Sequence, residues 1–256
     1  MKIDVHDPHN SLGFKYDKTI HLYDDGIGRV DYIDHMGTDL TVVNSARVSF
    51  GVHKDELDNR DRKLIRYLIE HKHTSTLEHC SVTFKFTVPL FVRSQHHRHR
   101  TWSYNEISRR YTEKGLKFYE PNMFRTQHKS NRQASNAEGL INPVIIPDLS
   151  DTSEGTRANL ALRIHNERSI RLFQRMMTEG VCREQARSVL PQSLYTEYYG
   201  TVNLSNLLKF IDLRTHEGAQ WEIQEVAKAC LDIASDLWPI AVGTYRRIKC
   251  GGSKIQ

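Results

Sequence analysis

Between Arg93 and Tyr111 the chain carries five arginines, three histidines and a single carboxylate, Glu106. Packing so many guanidiniums costs repulsion and desolvation unless anions sit among them. Arginine also matches phosphate, or the flat edge of a planar acceptor, with two parallel donors. Ser103, Asn105 and Ser108 add short directional hydrogen-bonding groups, and Trp102, Tyr104 and Tyr111 can present flat faces. A plain charge run is ordinarily a solvated loop. This mixture is too varied for solvation alone and reads as a site for a phosphorylated, planar ligand.

In order, Arg98 to Tyr111 is RHRTWSYNEISRRY. Arg98-His99-Arg100, followed after seven residues by Ser108, resembles the signature of the flavin-dependent thymidylate synthases. Their fuller pattern, RHRxxSxNExSxRY, is met at every fixed position. Further blocks are similar to the same family: REQARSVLPQSLYT (Arg183–Thr196), TVNLSNLLKFIDLR (Thr201–Arg214) and AQWEIQ (Ala219–Gln224) downstream, with ARVSF (Ala46–Phe50) and HxHxSxxEH (His71–His79) upstream. The resemblance covers most of the chain except about 115–155.

That resemblance implies an α/β (α+β) fold, a mixed sheet flanked by helices, in a single domain. It implies conversion of dUMP to dTMP with 5,10-methylenetetrahydrofolate as carbon donor and FAD reduced by NADPH, in a homotetramer with shared active sites. The deoxyuridylate pocket is implied at Gln95, His96, His97, Arg98, Glu106, Ser108, Arg109, Arg110, Arg187 and Arg214. Arg214 is the implied catalytic group, pressing on the uracil carbonyl edge, favouring the ionised imide and so polarising the ring. FAD is expected at Ser75, Arg98, His99, Arg100, Glu106, Asn203, Leu204, Ser205 and Lys209, with His73 and Glu78 on the folate side. The chain departs from the family at Ser205, where a basic residue is often found, and at Lys209, where an amide can occur.

The chemistry is consistent with these roles. Methylating uracil needs a nucleophilic carbon-5, from imide ionisation or from attack at carbon-6. Cys80, Cys182, Cys230 and Cys250 are widely spaced, form no CxxC pair and have no evident activating neighbour. Electrostatic polarisation by an arginine is then the available substitute. Turning the transferred carbon into a methyl needs a hydride, which no side chain supplies and a flavin can. Each role has a plainer alternative. Arg187 and Arg214 could be helix C-terminal charges, Arg109 solvent-facing, and Ser75 and Glu78 capping residues. Cys182 reads as a small core residue. His96 and His97 are not expected to bind metal, because adjacent histidines diverge and no HExxH is present.

The elements that must position these residues follow from periodicity. Residues 2–5 and about 29–33 alternate as strands, with Gly26 and Gly28 marking a turn between them. Asp39 is expected to cap a helix through Val43, Ala46 and Val48. Asp58–His71 forms a second helix, with Leu64, Ile65, Leu68 and Ile69 in the core. Thr74–Cys80 is a polar connector, and Ser81–Val88 a strand ended by Pro89, which opens a helix over Leu90–His96. The stretch at about 115–155 reads as an irregular surface insert. Thr156–Glu179 is an amphipathic helix burying Leu160, Ile164, Ile170, Phe173 and Met177. A short helix at Arg183–Leu190 precedes a strand at Leu194–Leu204. Ser205 caps Leu207–Leu213, Trp221–Trp238 is the closing helix with Ile223, Val226, Ala227, Cys230, Ile233 and Leu237 inward, and 249–256 frays.

The 256 residues, 38% hydrophobic and 26% charged, suit a globular chain with a real core. The net charge of +5 and pI near 9.0 favour anionic partners without choosing among them. No apolar run approaches the ~20 residues that span a bilayer, and the N-terminus lacks a signal-peptide core. A cytoplasmic protein with no membrane or nucleic-acid partner is expected. Two rivals remain. A nucleic-acid-binding module would stack Trp102 or Tyr104 on bases and bind in a salt-dependent way. A metal-dependent phosphohydrolase would draw on the fourteen histidines and lose activity to chelators. Neither accounts for the distant blocks around Arg187, Asn203 and Arg214.

Overall fold

The computed structural model describes residues 17–112, 115–131, 134–146 and 155–251. Its strands are β1 (Thr19–His21), β2 (Arg29–Met36), β3 (Ser81–Pro89), β4 (Ser103–Glu106), β5 (Phe124–Gln127), β6 (Ser135–Ile141), β7 (Val144–Ile145), β8 (Thr156–Arg157) and β9 (Tyr195–Asn203). Its helices are α1 (Asp39–Arg47), α2 (Asn59–Glu70), α3 (Leu90–His96), α4 (Ala158–Thr178), α5 (Arg183–Ala186), α6 (Leu204–Arg214), α7 (Trp221–Leu237) and α8 (Pro239–Gly251).

One five-stranded sheet, in the order β1-β2-β3-β9-β4, forms the centre. The α+β class holds, but every ladder in this sheet is antiparallel, so it is not the mixed sheet expected. Neighbouring strands all run in opposite directions, and no parallel crossover is required. The alternation of SVTFKFTV is the reason β3 sits at the middle: Val82, Phe84, Phe86 and Val88 are all buried. Each such side chain contributes roughly 2 kcal/mol of burial. Opposite them on β9, Gly200 faces Phe86 and Trp102. A Cβ there would lie 2.9 Å from the Phe86 ring and 3.2 Å from Trp102. The glycine thus lets the tryptophan of the arginine-rich stretch lie against the sheet.

Helices α1, α2, α6, α7 and α8 complete the core. Ile65 and Leu68 of α2 are buried with Leu64 and Ile69 packed behind them, as are Ile223, Val226, Ala227, Cys230 and Ile233 of α7, with Leu237 half-buried. Asp58 caps α2, its carboxylate accepting from the Arg60 and Asp61 amides.

Several local expectations are corrected. Thr38, not Asp39, caps α1. The buried Asp39 carboxylate instead accepts from the Ile240 and Ala241 amides at 2.8 and 2.9 Å, and so caps α8 across the core. Asn203, not Ser205, caps α6, because the helix begins one turn earlier at Leu204. Trp221–Leu237 is not the last helix: Pro239 opens α8, which runs to Gly251 through part of the tail expected to fray. Strand β1 was hidden by its length, and residues 2–5 lie outside the described residues. The insert is not irregular throughout, since β5–β6 and β7–β8 form antiparallel pairs within or beside it. Of the five residues expected inside α4 only Phe173 is buried, while Leu160 is 46% exposed. The helix turns Asn166 and Ser169 inward instead, where Asn166 bridges Glu120 and Ser193. Cys182 is exposed at the start of α5 rather than in the core.

Candidate active site

The signature residues straddle the end of α3, the turn into the edge strand β4, and the loop beyond it. Residues two apart on a helix point to different sides. Arg93 and Gln95 on α3 are such a pair, and they divide the expected pocket in two.

On the Arg93 side, Arg93 Nε donates to Glu106 Oε1 at 3.1 Å, and Thr196 Oγ1 donates to the same oxygen at 2.7 Å. Glu106 is placed by its pairing with Tyr198 in the β4–β9 ladder. A cavity of ≈ 650 Å³ opens here, lined among others by Arg93, Glu106, Ser108, Arg109, Arg187 and Gln192. Arg109 is half-buried and donates to the Tyr195 carbonyl at 3.3 Å, so it is not simply solvent-facing. Burial pushes its guanidinium pKa down, against the opposing charges of Glu197 and Glu106. Arg187 is exposed at the cavity, touches the Glu184 carbonyl, and makes no ion pair among the described residues. A carboxylate-anchored wall with two guanidiniums beside it suits an anionic group.

On the Gln95 side, the last residue of α6 enters. Arg214 Nε donates to His99 Nε2 at 3.0 Å, and its NH2 group donates to the Gln95 carbonyl at 3.3 Å. His99 must be neutral at Nε2 to accept. Burial, then the charge of Arg214, hold its pKa down at about 4. Arg214 itself is pushed down by burial and by Arg98 nearby. The remaining guanidinium hydrogens are free to meet a carbonyl edge.

His96 is corrected. It is 0% exposed, its Nδ1 lies 2.8 Å from the Tyr198 hydroxyl, and Phe86, Trp102 and Phe210 surround its ring. A ring so enclosed cannot touch a ligand, and it serves to pack α3 on the sheet. Burial pushes its pKa well below the ordinary value, followed by the neighbouring His99, His97 and Arg214. His97 is half-buried against Tyr104, with Nε2 lacking a hydrogen-bond partner. Arg110 is exposed, packs over the Tyr111 ring and is not among the residues that line the cavity.

Most residues expected to hold a flavin occupy the α3–β4 turn and the start of α6, while Ser75 lies in the short turn Thr74–Leu77 and Glu106 on β4. Arg98, Arg100, Ser75 and Lys209 are exposed, as are His73 and Glu78 of the folate side. Arg98 and Arg100 make no ion pair among the described residues, which suits a phosphorylated cofactor. Ser205 lies on α6, 3% exposed, its hydroxyl without a hydrogen-bond partner among the described residues. Leu204 is corrected: its side chain is fully buried and its amide is spent on the Cys80 carbonyl. The Asn203 side-chain oxygen is engaged in capping α6.

Sequence reading missed Arg93, Gln192 and Thr196 on the cavity wall, and Gln220 and Glu222 behind Gln95. The two last lie inside the AQWEIQ block, which was the available signal. A larger polar groove of ≈ 870 Å³ between β5–β6 and His216–Gly218 contains none of the expected residues. Among the described residues no cluster of three or more His, Cys, Asp or Glu side chains is placed to hold a metal ion. No helix among them is long and apolar enough to cross a membrane.

The family model described as thymidylate synthase complementing protein matches residues 31–240. The flavin-dependent thymidylate synthase of Thermus thermophilus is 41% identical over 229 residues, 89% of this chain and 78% of its own. The chain belongs to the flavin-dependent thymidylate synthase family. The Kosmotoga olearia member is 39% identical over 218 residues, covering 85% of this chain and 90% of its own. Among solved structures, the UMP/dUMP methylase PolB from Streptomyces cacaoi bound with 5-Br dUMP superposes with a TM-score of 0.69. It is 32% identical, and the match covers 89% of this chain and 97% of PolB. As a flavin-dependent thymidylate synthase, the protein is a methyltransferase.

Proposed function

We propose that the protein methylates dUMP to dTMP, taking the carbon from 5,10-methylenetetrahydrofolate. The observation that carries the reading is the arrival of Arg214, from the far end of α6, on His99 and the Gln95 carbonyl of the signature stretch. Exposed Arg98 and Arg100, which make no ion pair among the described residues, fit the phosphates of FAD on the adjoining side. Bound FAD, reduced by NADPH, supplies the hydride that turns the transferred carbon into a methyl group.

The chain's own residues do the rest. Arg109 and Arg187, with Ser108, bind the nucleotide phosphate, where forked donors suit its oxygens. Glu106 orients Arg93 and closes the cavity wall. Arg98 and Arg110 add positive charge around the nucleotide. Arg214 donates to a uracil carbonyl and stabilises the imide anion formed when N3 gives its proton to water, and the negative charge delocalised through the ring makes carbon-5 nucleophilic. His99 keeps Arg214 aligned by staying neutral. No thiolate takes part. Burial, then the charge of Asp39, push the Cys80 thiol up to about 12, and burial pushes Cys230 higher still.

Because α3 separates Arg187 from Arg214, one chain's cavity and another chain's Gln95 side together form each site, in a homotetramer. Exposed Leu160, Leu172, Ile141 and Val144 supply apolar surface for such contacts. The chain is a single domain, acting in the cytoplasm.

The test is a visible absorption spectrum of the purified protein, bleaching by NADPH, and dTMP formation with dUMP and methylenetetrahydrofolate. A flavin spectrum and dTMP are expected. A colourless protein that neither takes up added FAD nor retains dUMP would overturn the reading. UMP belongs in the same assay, since PolB is described as acting on both nucleotides.

A further inference from the structure

Behind Gln95 lies a chain of hydrogen bonds whose direction is forced. Glu222 is 3% exposed, on the first turn of α7. Its Oε1 accepts from the Arg125 guanidinium at 2.6 Å and from the Tyr119 hydroxyl at 3.1 Å. Arg125, on β5 within the insert, also stacks 4.9 Å over the Trp221 ring. The remaining oxygen, Oε2, faces the Gln220 side-chain nitrogen at 2.9 Å. A carboxylate paired with arginine can only accept, so Gln220 must turn its NH2 toward it. That leaves the Gln220 oxygen facing Gln95, which answers with its own NH2. The amide of Gln95 is thereby polarised: Nε2 points inward and Oε1, with no hydrogen-bond partner among the described residues, is left for a ligand.

The backbone carbonyl of the same Gln95 receives Arg214. Side by side, the two residues present a donor and an acceptor. Uracil offers the complement, a carbonyl oxygen next to the N3–H. Cytosine offers the reverse, an amino group next to a bare ring nitrogen. We propose that Gln220, Glu222 and Arg125 are positioning residues that lock Gln95 as an acceptor, so that the site takes uracil nucleotides and rejects cytosine nucleotides. The inference rests on the placement of Gln95 and Arg214 in the pyrimidine pocket.

The experiment measures binding of dUMP and dCMP to the full-length protein by equilibrium dialysis, for the native chain, Glu222→Gln and Gln220→Met. A glutamine at 222 can donate or accept, which frees the relay to reverse. A methionine at 220 keeps the bulk and removes the amide. The native chain should prefer dUMP, and each variant should narrow the dUMP-to-dCMP ratio by about tenfold or more, as one mispaired buried hydrogen bond implies. General damage to the fold would weaken both ligands together and leave the ratio in place. A ratio unchanged in the folded variants, or a native chain that binds both nucleotides equally, overturns the inference while the site assignment stands. A native chain that binds neither overturns the site assignment as well. If Glu222→Gln does not fold, Gln220→Met decides alone.

Discussion

Arg214 is held at two points, and both are polar contacts to the signature stretch rather than a salt bridge. Its contribution should therefore lie in chemistry more than in stability. Arg214→Ala should abolish dTMP formation while the flavin stays bound, read by turnover and the visible spectrum. Near-normal turnover would remove it from the mechanism. Cys182 is the contrasting residue. It is exposed at the start of α5, with Gln185 as its neighbour at 3.6 Å. Cys182→Ser should retain activity, and complete loss in a folded variant would bring a thiolate back. His96 makes a further prediction, of stability against pH. Its folded pKa is depressed by burial, so the folded chain binds no proton there while the unfolded chain does below about 6.5. The stability lost from this group grows as pH falls through 6.5. Chemical denaturation at pH 7 and pH 5 measures it, and replacing His96 by phenylalanine should flatten that part of the profile.

At the scale of elements, the site depends on where α3 and α6 end. The cap on α6 is Asn203 at the end of β9, so strand and helix share one junction and Arg214 is placed by an eleven-residue lever. Helix α8 is fixed differently, by a carboxylate from a helix some 200 residues earlier. Asp39→Ala should destabilise the protein by about 1–3 kcal/mol, since it strips a buried cap from two amides. Thermal melting should show the loss, whereas the nucleotide preference, which depends on α3 and α7, should be unchanged. Equal stability in that variant would mean that water or Thr38 replaces the cap. Helix α4 teaches the opposite lesson. Its apolar spacing suggested burial, yet Leu160 and Leu172 are 46% and 50% exposed and the helix is anchored by Asn166.

At the scale of the molecule, the division of the expected pocket by α3 makes subunit sharing testable. Arg187→Ala and Arg214→Ala should each be inactive alone. If the two residues serve one site from different chains, co-refolded mixtures should regain activity at roughly a quarter of the sites. If both residues act within one chain, a mixture regains activity only in its native-chain controls, and the shared site is excluded. Sedimentation of the same samples gives the oligomeric state.

Most of the residues proposed to carry chemistry stand out in the sequence because they cluster within a single stretch and repeat a long pattern, RHRTWSYNEISRRY. Helices α2 and α7 and strand β3 were legible because their apolar spacing coincides with the face they bury, and α3 because Pro89 opens it. What the sequence could not determine was set by partners far along the chain. Asp39 caps α8 and not α1, His96 is enclosed by Phe86 and Phe210 and so cannot reach a ligand, and Gln95 takes its polarity from Glu222. A hydrogen bond between residues more than a hundred positions apart leaves no periodic trace, so only the tertiary structure decides which way an amide faces or whether a histidine meets solvent.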